Sequence, residues 1–210
     1  MTKPVTFQAL LHLRSSKRKG SVESGDKTKD MYEKRFDGEI ERLRAPERLK
    51  RLEVERVATL CLDAAVLKDV LDVGTGTGLF AEVFSERGLE VSGVDANPKM
   101  IAAAKQFAPK GSFREATAEA LPYPNASFDL VFLGLVLHES DEPLKVLQEA
   151  WRVTRNRVCI LEWPYRDEGF GPPLAHRLDP TEIADLARQA GFTHLESIQL
   201  NHLTFYRLEA

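Results

Sequence analysis

The sequence predicts an α/β domain built on a doubly wound, mostly parallel sheet that ends in an antiparallel hairpin. Strand-like runs alternate with helical segments from about residue 70 onward, a pattern typical of a parallel sheet with helices on both faces. The first run leads directly into a glycine-rich turn, and the chain closes with two strand-like runs that no helix separates. A length of 210 residues with 43% hydrophobic residues fits one domain with a substantial core.

The first thirty residues differ in composition from the rest. No acidic residue occurs from Met1 to Val22, and the stretch SSKRKGSVESGDKTKD, residues 15–30, is almost entirely polar. We therefore expect residues 1–30 to be a flexible basic tail and residues 31–210 to be the folded domain. The alternative is a targeting presequence, because VTFQALLHLRSS is apolar, basic and free of acids.

The folded part is expected to begin with an amphipathic helical region over Ile40–Leu62, with Pro46 near its start. Five strand-like runs follow, and they are Val70–Val73, Glu90–Val94, Ser112–Glu115, Leu130–Leu135 and Arg157–Leu161. Helices are predicted between and after these strands, with starts near Thr77, at Asn97-Pro98, near Ser140-Asp141 and at Asp179-Pro180, and with stops at Gly88 and Gly191.

Two further expectations concern the buried face of one helix and the end of the chain. The helix that starts near Ser140 is expected to bury Leu144, Leu147 and Trp151. The final stretch THLESIQLNHLTFYRLEA holds two strand-like runs that turn near Asn201. Because neighbouring strands joined by a short turn are antiparallel, the chain is expected to finish with a hairpin.

Charge and composition exclude several function classes. The net charge of −3 gives no basic field, which argues against nucleic acid as a partner. No stretch approaches the roughly 20 apolar residues that a membrane span needs. The two cysteines, Cys61 and Cys159, lie in apolar surroundings and are expected to be buried, reduced thiols rather than a disulfide or metal ligands. We therefore expect no metal site and a cytoplasmic location.

The glycine-rich turn, in the stretch VLDVGTGTGLF, is the expected ligand site. Ligands of doubly wound sheets bind beyond the carboxyl ends of the strands, and this turn follows the first strand. Its spacing, Gly74-x-Gly76-x-Gly78, departs from the G-x-G-x-x-G of dinucleotide sites. Asp72 would repel a diphosphate but attract an ammonium or a sulfonium. Its alternative role is to cap the turn, and the two roles are compatible.

A second carboxylate, Asp95, closes the next strand about 20 residues further on. An acid at that position suits a bidentate contact with ribose hydroxyls. Asn97, which is better placed as a helix cap, makes a pure capping role for Asp95 less attractive. Adenosine with a cationic amino-acid tail describes S-adenosylmethionine.

The stretches VLDVGTGTG, VDANPKM and ATAEALPYPNASFDLVFLGLVLHES, with the terminal hairpin, together resemble class I S-adenosylmethionine-dependent methyltransferases. The similarity is greatest to the branch that resembles quinone-biosynthesis and other small-molecule methyltransferases, and it covers roughly residues 31–210. It implies a Rossmann-like sheet of seven strands with the last strand inserted antiparallel. It also implies S-adenosylmethionine as the methyl donor and S-adenosylhomocysteine as the product.

The resemblance assigns cofactor-binding roles by position. The three glycines of the turn, Gly74, Gly76 and Gly78, would pass the methionine part, with Asp72 fixing its amino end. Asp95 would hold the ribose, while Ala96 and Met100 would pack near the adenine. Where the family often has Asp-Ala, this chain has Thr117-Ala118, whose hydroxyl accepts a hydrogen bond from the adenine amino group more weakly than a carboxylate. Gly134, at the end of the fourth strand, would face the reactive methyl.

Candidate catalytic and acceptor-binding residues follow the fourth and fifth strands. His138 has a pKa range suited to a general base, with strand-end capping or packing under the cofactor as the structural alternative. Glu162, Trp163 and Tyr165 leave the fifth strand at the same edge, and Arg177 ends the Pro- and Gly-rich loop that follows. These four are candidates for binding the acceptor, Arg177 for an acidic one. The alternatives are that Trp163 belongs to the core and that Arg177 is a surface charge.

The sequence thus predicts transfer of a methyl group from S-adenosylmethionine to a small molecule. DNA adenine methylation is disfavoured, because LGLVLHES lacks the Asn- or Asp-Pro-Pro-aromatic motif, and arsenical methylation is disfavoured by the low cysteine count. The alternatives are an RNA- or protein-modifying methyltransferase that uses the basic tail, a nicotinamide-dependent oxidoreductase, and a domain that binds the cofactor without transferring methyl. The acceptor and the oligomeric state are not specified by the sequence.

Overall fold

A computed structural model of the chain describes residues 5–6 and 40–209. Within these ranges one mixed sheet holds eight strands: β1 Val5–Thr6, β2 Asp69–Val73, β3 Glu90–Asp95, β4 Ser112–Glu115, β5 Phe128–Gly134, β6 Thr154–Glu162, β7 His194–Gln199 and β8 Thr204–Glu209. Their order across the sheet is β1-β7-β8-β6-β5-β2-β3-β4. Apart from the two residues of β1, the predicted tail over residues 1–30 lies outside the described residues.

The sheet is parallel from β4 to β6, and β8 is inserted antiparallel between β6 and β7. This confirms the predicted fold class and the terminal hairpin. The predicted number of seven strands is wrong by one, because Val5 and Thr6 pair antiparallel with Ser197 and Glu196. Without β1, the edge of β7 would present unpaired backbone groups. Two residues are enough to pair with them, and so short a strand has no recognisable sequence pattern.

Seven α-helices accompany the sheet in residues 40–209, and they are α1 Ile40–Leu43, α2 Pro46–Leu52, α3 Val54–Leu62, α4 Leu79–Glu86, α5 Pro98–Phe107, α6 Pro143–Val153 and α7 Pro180–Ala190. The helical region predicted over Ile40–Leu62 is three short helices. Pro46 is the first residue of α2, and Glu53 adopts a left-handed conformation (φ 48°) between α2 and α3.

Helix caps largely follow the sequence. Asn97 accepts a hydrogen bond from the backbone N–H of Lys99, and Asp179 accepts one from that of Thr181. Gly191 ends α7 with φ 110°, as a left-handed C-terminal residue should.

The expected burial of Trp151 is wrong. Helix α6 starts at Pro143 and buries a stripe of residues that consists of Val146, Leu147, Ala150 and Val153. Because successive helical residues turn by about 100°, Trp151 lies outside this stripe and is 43% exposed. Its indole covers the backbone of Gly191, where an added Cβ would lie 3.2 Å from Nε1.

The core forms one apolar layer on each face of the sheet. Cys61 and Cys159 are free, buried and adjacent to each other, and burial together with Cys159 raises the pKa of the Cys61 thiol. No helix in the described ranges has the length and apolar character needed to cross a bilayer. Strand β2 has β3 on one side and β5 on the other, so the chain reverses its winding direction between β2 and β5. That is where a doubly wound sheet opens a crevice for a ligand.

Candidate functional site

The loop over residues 74–78 connects β2 to α4 at this crevice, and its outer two glycines are needed for close packing. Gly74 and Gly78 have φ of 65° and 75°, which L side chains rarely adopt. A Cβ on Gly74 would lie 2.1 Å from Cγ2 of Val136, and one on Gly78 would lie 3.1 Å from Cα of Ala104. These two glycines therefore let the loop sit against the segment after β5 and against α5.

The central glycine differs from its neighbours. Gly76 also has a positive φ, of 53°, but a Cβ built on it would meet nothing within 4 Å. Its backbone is thus the open face of the loop, where a ligand can come close. The residues around this face fit the methionine part of S-adenosylmethionine, because they combine bare backbone with two nearby carboxylates.

Asp72 is one of these carboxylates, and it stabilises the loop through a hydrogen bond with Thr75. It is only 2% exposed, and Oδ2 accepts a 2.7 Å hydrogen bond from the hydroxyl of Thr75. Burial raises its pKa to about 7, and the negative charge of Asp95 adds to this, while hydrogen bonds from Thr75 and the Ala81 backbone oppose it. With so little exposed surface, Asp72 can act on a ligand through its charge and through the loop that it fixes.

Asp95, at the end of β3, also forms a hydrogen bond with this loop. Oδ2 accepts a 2.9 Å hydrogen bond from the backbone N–H of Gly76, and Oδ1 accepts one of 2.8 Å from that of Asn97. Burial raises the pKa of Asp95, against the effect of these two hydrogen bonds. The side chain is half-buried, so an oxygen lone pair can still meet a ligand hydroxyl.

The other residues assigned to the cofactor lie around the same edge with different exposures. Ala96 is exposed directly after Asp95, whereas Met100 is buried in the first turns of α5. Thr117 is exposed after β4, and Ala118 is partly buried against the core. Gly134 ends β5, and a Cβ there would lie 2.7 Å from the ring of Phe132.

His138 and Glu162 form a buried pair at the ends of β5 and β6. Nδ1 of His138 lies 2.8 Å from Oε2 of Glu162, and the His138 backbone N–H donates to Oε1 at 3.1 Å. Oε2 also accepts a hydrogen bond from the backbone N–H of Trp163. Glu162 is one of the candidates for binding the acceptor. Its carboxylate is instead hydrogen-bonded to His138 and to the backbone N–H of Trp163.

The loop between β6 and α7 is held by Arg177, which is buried rather than a surface charge. Its guanidinium donates hydrogen bonds to four backbone carbonyls of the loop, those of Pro164, Arg166, Phe170 and Pro172. Trp163 is buried in the core, with the Phe170 ring packed edge-on against it. Tyr165 lies in the chain between Pro164 and Arg166, whose carbonyls bind Arg177, and is 48% exposed.

Two residues at the loop were missed by the sequence analysis. Thr75 had a usable signal, since its hydroxyl follows Asp72 by three residues, a spacing common in side-chain-capped turns. Arg44 had none, because its contacts are remote in sequence. It donates a 3.2 Å hydrogen bond to the carbonyl of Thr77, forms an ion pair with Glu82, and lies over the ring of Phe107.

Known proteins are similar to this chain. Residues 71–160 match the family model described as "Methyltransferase domain". The chain is 35% identical over 103 residues to a demethylmenaquinone methyltransferase from Renibacterium salmoninarum, covering 49% of this chain and 44% of that protein. It is 38% identical over 125 residues to one from Thermus thermophilus, covering 55% and 56%. The chain thus spans about half the length of the curated relatives it matches.

A solved structure supports the same fold. It is an S-adenosylmethionine-dependent methyltransferase from Aquifex aeolicus, with a TM-score of 0.72 and 24% identity. The superposition covers 83% of this chain and 98% of that one. With the strand order and the glycine loop, these similarities confirm the resemblance seen in the sequence. Residues 71–160 thus match a methyltransferase-domain family, and the described residues have the fold of a solved S-adenosylmethionine-dependent methyltransferase.

Proposed function

We propose that this protein transfers the methyl group of S-adenosylmethionine to a small-molecule acceptor. The proposal depends on the open backbone face at Gly76, which the carboxylates of Asp72 and Asp95 flank. This face lies where the chain reverses its winding direction between β2 and β5. A sulfonium and an ammonium are attracted to that charge, whereas the diphosphate of a dinucleotide is repelled. The electrostatics therefore favour S-adenosylmethionine over a nicotinamide dinucleotide.

Each flanking residue receives a role in this proposal. Asp72 attracts the ammonium through its charge, and Asp95 accepts hydrogen bonds from the ribose hydroxyls. Ala96 and Met100 pack near the adenine, Thr117 accepts a hydrogen bond from its amino group, with Ala118 beside it, and Gly134 leaves space for the methyl group. When bound, the cofactor supplies an electrophilic methyl group on a good leaving group, so the protein's main tasks are alignment and exclusion of water.

The nature of the acceptor is proposed from the relatives and from the loop over the site. The relatives are named for demethylmenaquinone, a small molecule. The β6–α7 loop, which Arg177 and Trp163 anchor, follows the strand end that carries Glu162, and we infer that this loop borders a compact organic acceptor. We place the reaction in a reducing compartment such as the cytoplasm, because both buried cysteines are free thiols.

Calorimetry tests the choice of cofactor. We expect S-adenosylhomocysteine to bind the purified protein and NAD⁺ to bind far more weakly. Tighter binding of NAD⁺ would overturn the proposal. Methyl transfer itself is then followed with methyl-labelled S-adenosylmethionine across a panel of small acceptors. RNA binding that disappears when residues 1–30 are removed, and that weakens steeply with salt, would instead favour a nucleic-acid acceptor.

A further inference from the structure

The pair formed by His138 and Glu162 resembles a base held by a carboxylate, and it lies beside the glycine loop. Val136, two residues before His138, packs directly against Gly74. On the other side, Glu162 is followed by Trp163, whose ring packs against the β6–α7 loop. His138 is thus two residues from the contact with the glycine loop, and its partner Glu162 adjoins the start of the β6–α7 loop.

The hydrogen bonds select one tautomer of His138. An ionised carboxylate only accepts hydrogen bonds, so Nδ1 carries the proton that it donates to Oε2 of Glu162. In the neutral ring this leaves the lone pair on Nε2. Nε2 lies 4.0 Å from Oε1 of Glu139, a distance longer than a hydrogen bond.

Three charged groups from the surrounding elements face the imidazole: Glu162, Glu139 and Arg177. Burial alone would lower the pKa of His138, and Arg177 acts in the same direction. The charge and hydrogen bond of Glu162, with a contribution from Glu139, outweigh them and raise the pKa above its ordinary value of 6.5. A raised pKa makes His138 a stronger base for proton transfer.

We propose that His138 removes a proton from a hydroxyl group of the acceptor, and that Glu162 is a positioning residue that orients His138 and strengthens it as a base. This inference rests on the proposed function and narrows the acceptor to phenols and enols. Amines attack through a lone pair they already have, and thiols ionise readily, so neither needs a buried base as strongly as a hydroxyl does.

The step balances in atoms and charge. Nε2 of His138 accepts the hydroxyl proton while the electron pair left on the oxygen forms a bond to the methyl carbon. The carbon–sulfur bond breaks, and its electron pair stays on sulfur. The products are a methyl ether, the neutral thioether and an imidazolium beside Glu162, which returns its proton to solvent.

The first test measures the titration of His138 by NMR in protein labelled at the histidine Cε1 position, with H138Q identifying the resonance. We expect the pKa of His138 to fall in E162Q, which keeps the side-chain size but removes the charge. The matched control is E196Q, since Glu196 lies on β7 and pairs with Arg207 of β8, away from His138. An unchanged pKa in E162Q would overturn the role of Glu162.

The second test measures turnover with 1-naphthol, 1-naphthylamine and 1-naphthalenethiol, which share one ring system, and methyl-labelled S-adenosylmethionine. We expect 1-naphthol to be methylated, with a rate that rises with pH through the pKa of His138. H138Q should lower the rate about 100-fold or more and remove this pH dependence. E162Q should lower the rate about tenfold or more and shift the rise to lower pH, which a purely structural role for Glu162 would not do. The exposed His194, changed in H194Q, is the control for histidine loss.

Calorimetry with S-adenosylhomocysteine distinguishes a failure of cofactor binding from a failure of base catalysis by His138. If the wild-type protein does not bind it, the proposed function fails. If the wild-type protein and both variants bind it equally, the cofactor site is intact and the kinetics judge the inference alone. Methylation of only the amine or the thiol, or of no probe, would then overturn the assignment of a hydroxyl acceptor.

Discussion

Replacing Gly76 with alanine tests the central claim about the glycine loop. Gly76 has a positive φ, and a Cβ there meets no protein atom within 4 Å. In the protein alone, G76A therefore introduces backbone strain but no clash. In the presence of a ligand that lies on the loop, the added methyl group occupies the space that the ligand needs.

The size of the strain can be estimated. A left-handed conformation costs an L residue about 1–2 kcal/mol. For a protein of this length that corresponds to a fall in Tm of about 2–8 °C. Binding of S-adenosylhomocysteine should weaken more than about tenfold, or about 1.4 kcal/mol, because the methyl group and the ligand cannot both fit.

Gly88 provides a matched control. It has a φ of 88° at the end of α4, and a Cβ there also meets nothing within 4 Å. G88A should therefore lower Tm by a similar amount and leave S-adenosylhomocysteine binding unchanged. Thermal unfolding and calorimetry on the two variants measure both effects. If G76A binds S-adenosylhomocysteine within about threefold of wild type, the open face of the loop is not the ligand site.

Two further predictions concern charge and the loop over the site. Because burial raises the pKa of Asp72 to about 7, its ionised fraction falls from about 0.9 at pH 8 to about 0.1 at pH 6. S-adenosylhomocysteine, whose ammonium stays protonated across this range, should bind about tenfold more weakly at pH 6, and D72N should remove this dependence. 5′-Methylthioadenosine, which lacks the ammonium, should show no such change; an equal change would contradict a charge-based role for Asp72. R177M should lower the free energy of unfolding by roughly 2–4 kcal/mol in urea, because loop carbonyls lose their donor. The exposed Arg166 supplies the control R166M, and equal stability losses would refute the anchoring role.

The sequence was sufficient for the features that depend on local pattern. The parallel strands were placed within a few residues, and β2, β5 and β6 were the clearest because they contain continuous buried apolar runs. Asn97, Asp179 and Gly191 were recognised as caps, since a cap needs only neighbouring backbone groups. The glycine loop and its two carboxylates were found in the same way.

Features that depend on contacts remote in sequence could not be predicted. The burial of Trp151 was misjudged because the helix face toward the sheet depends on packing against the rest of the core. Nothing local shows that Arg177 would turn inward to four carbonyls, or that Glu162 would meet His138. The left-handed residue Glu53, which divides the predicted helical region, carries no glycine signal.

The four carbonyls bound by Arg177 have a consequence for which positions of the loop can vary. They fix the course of the β6–α7 loop from within, so its shape does not depend on the side chains that project from it. Tyr165 projects from this frame into solvent. Substitutions at that position should therefore cost little stability, so the residue can vary without loosening the loop.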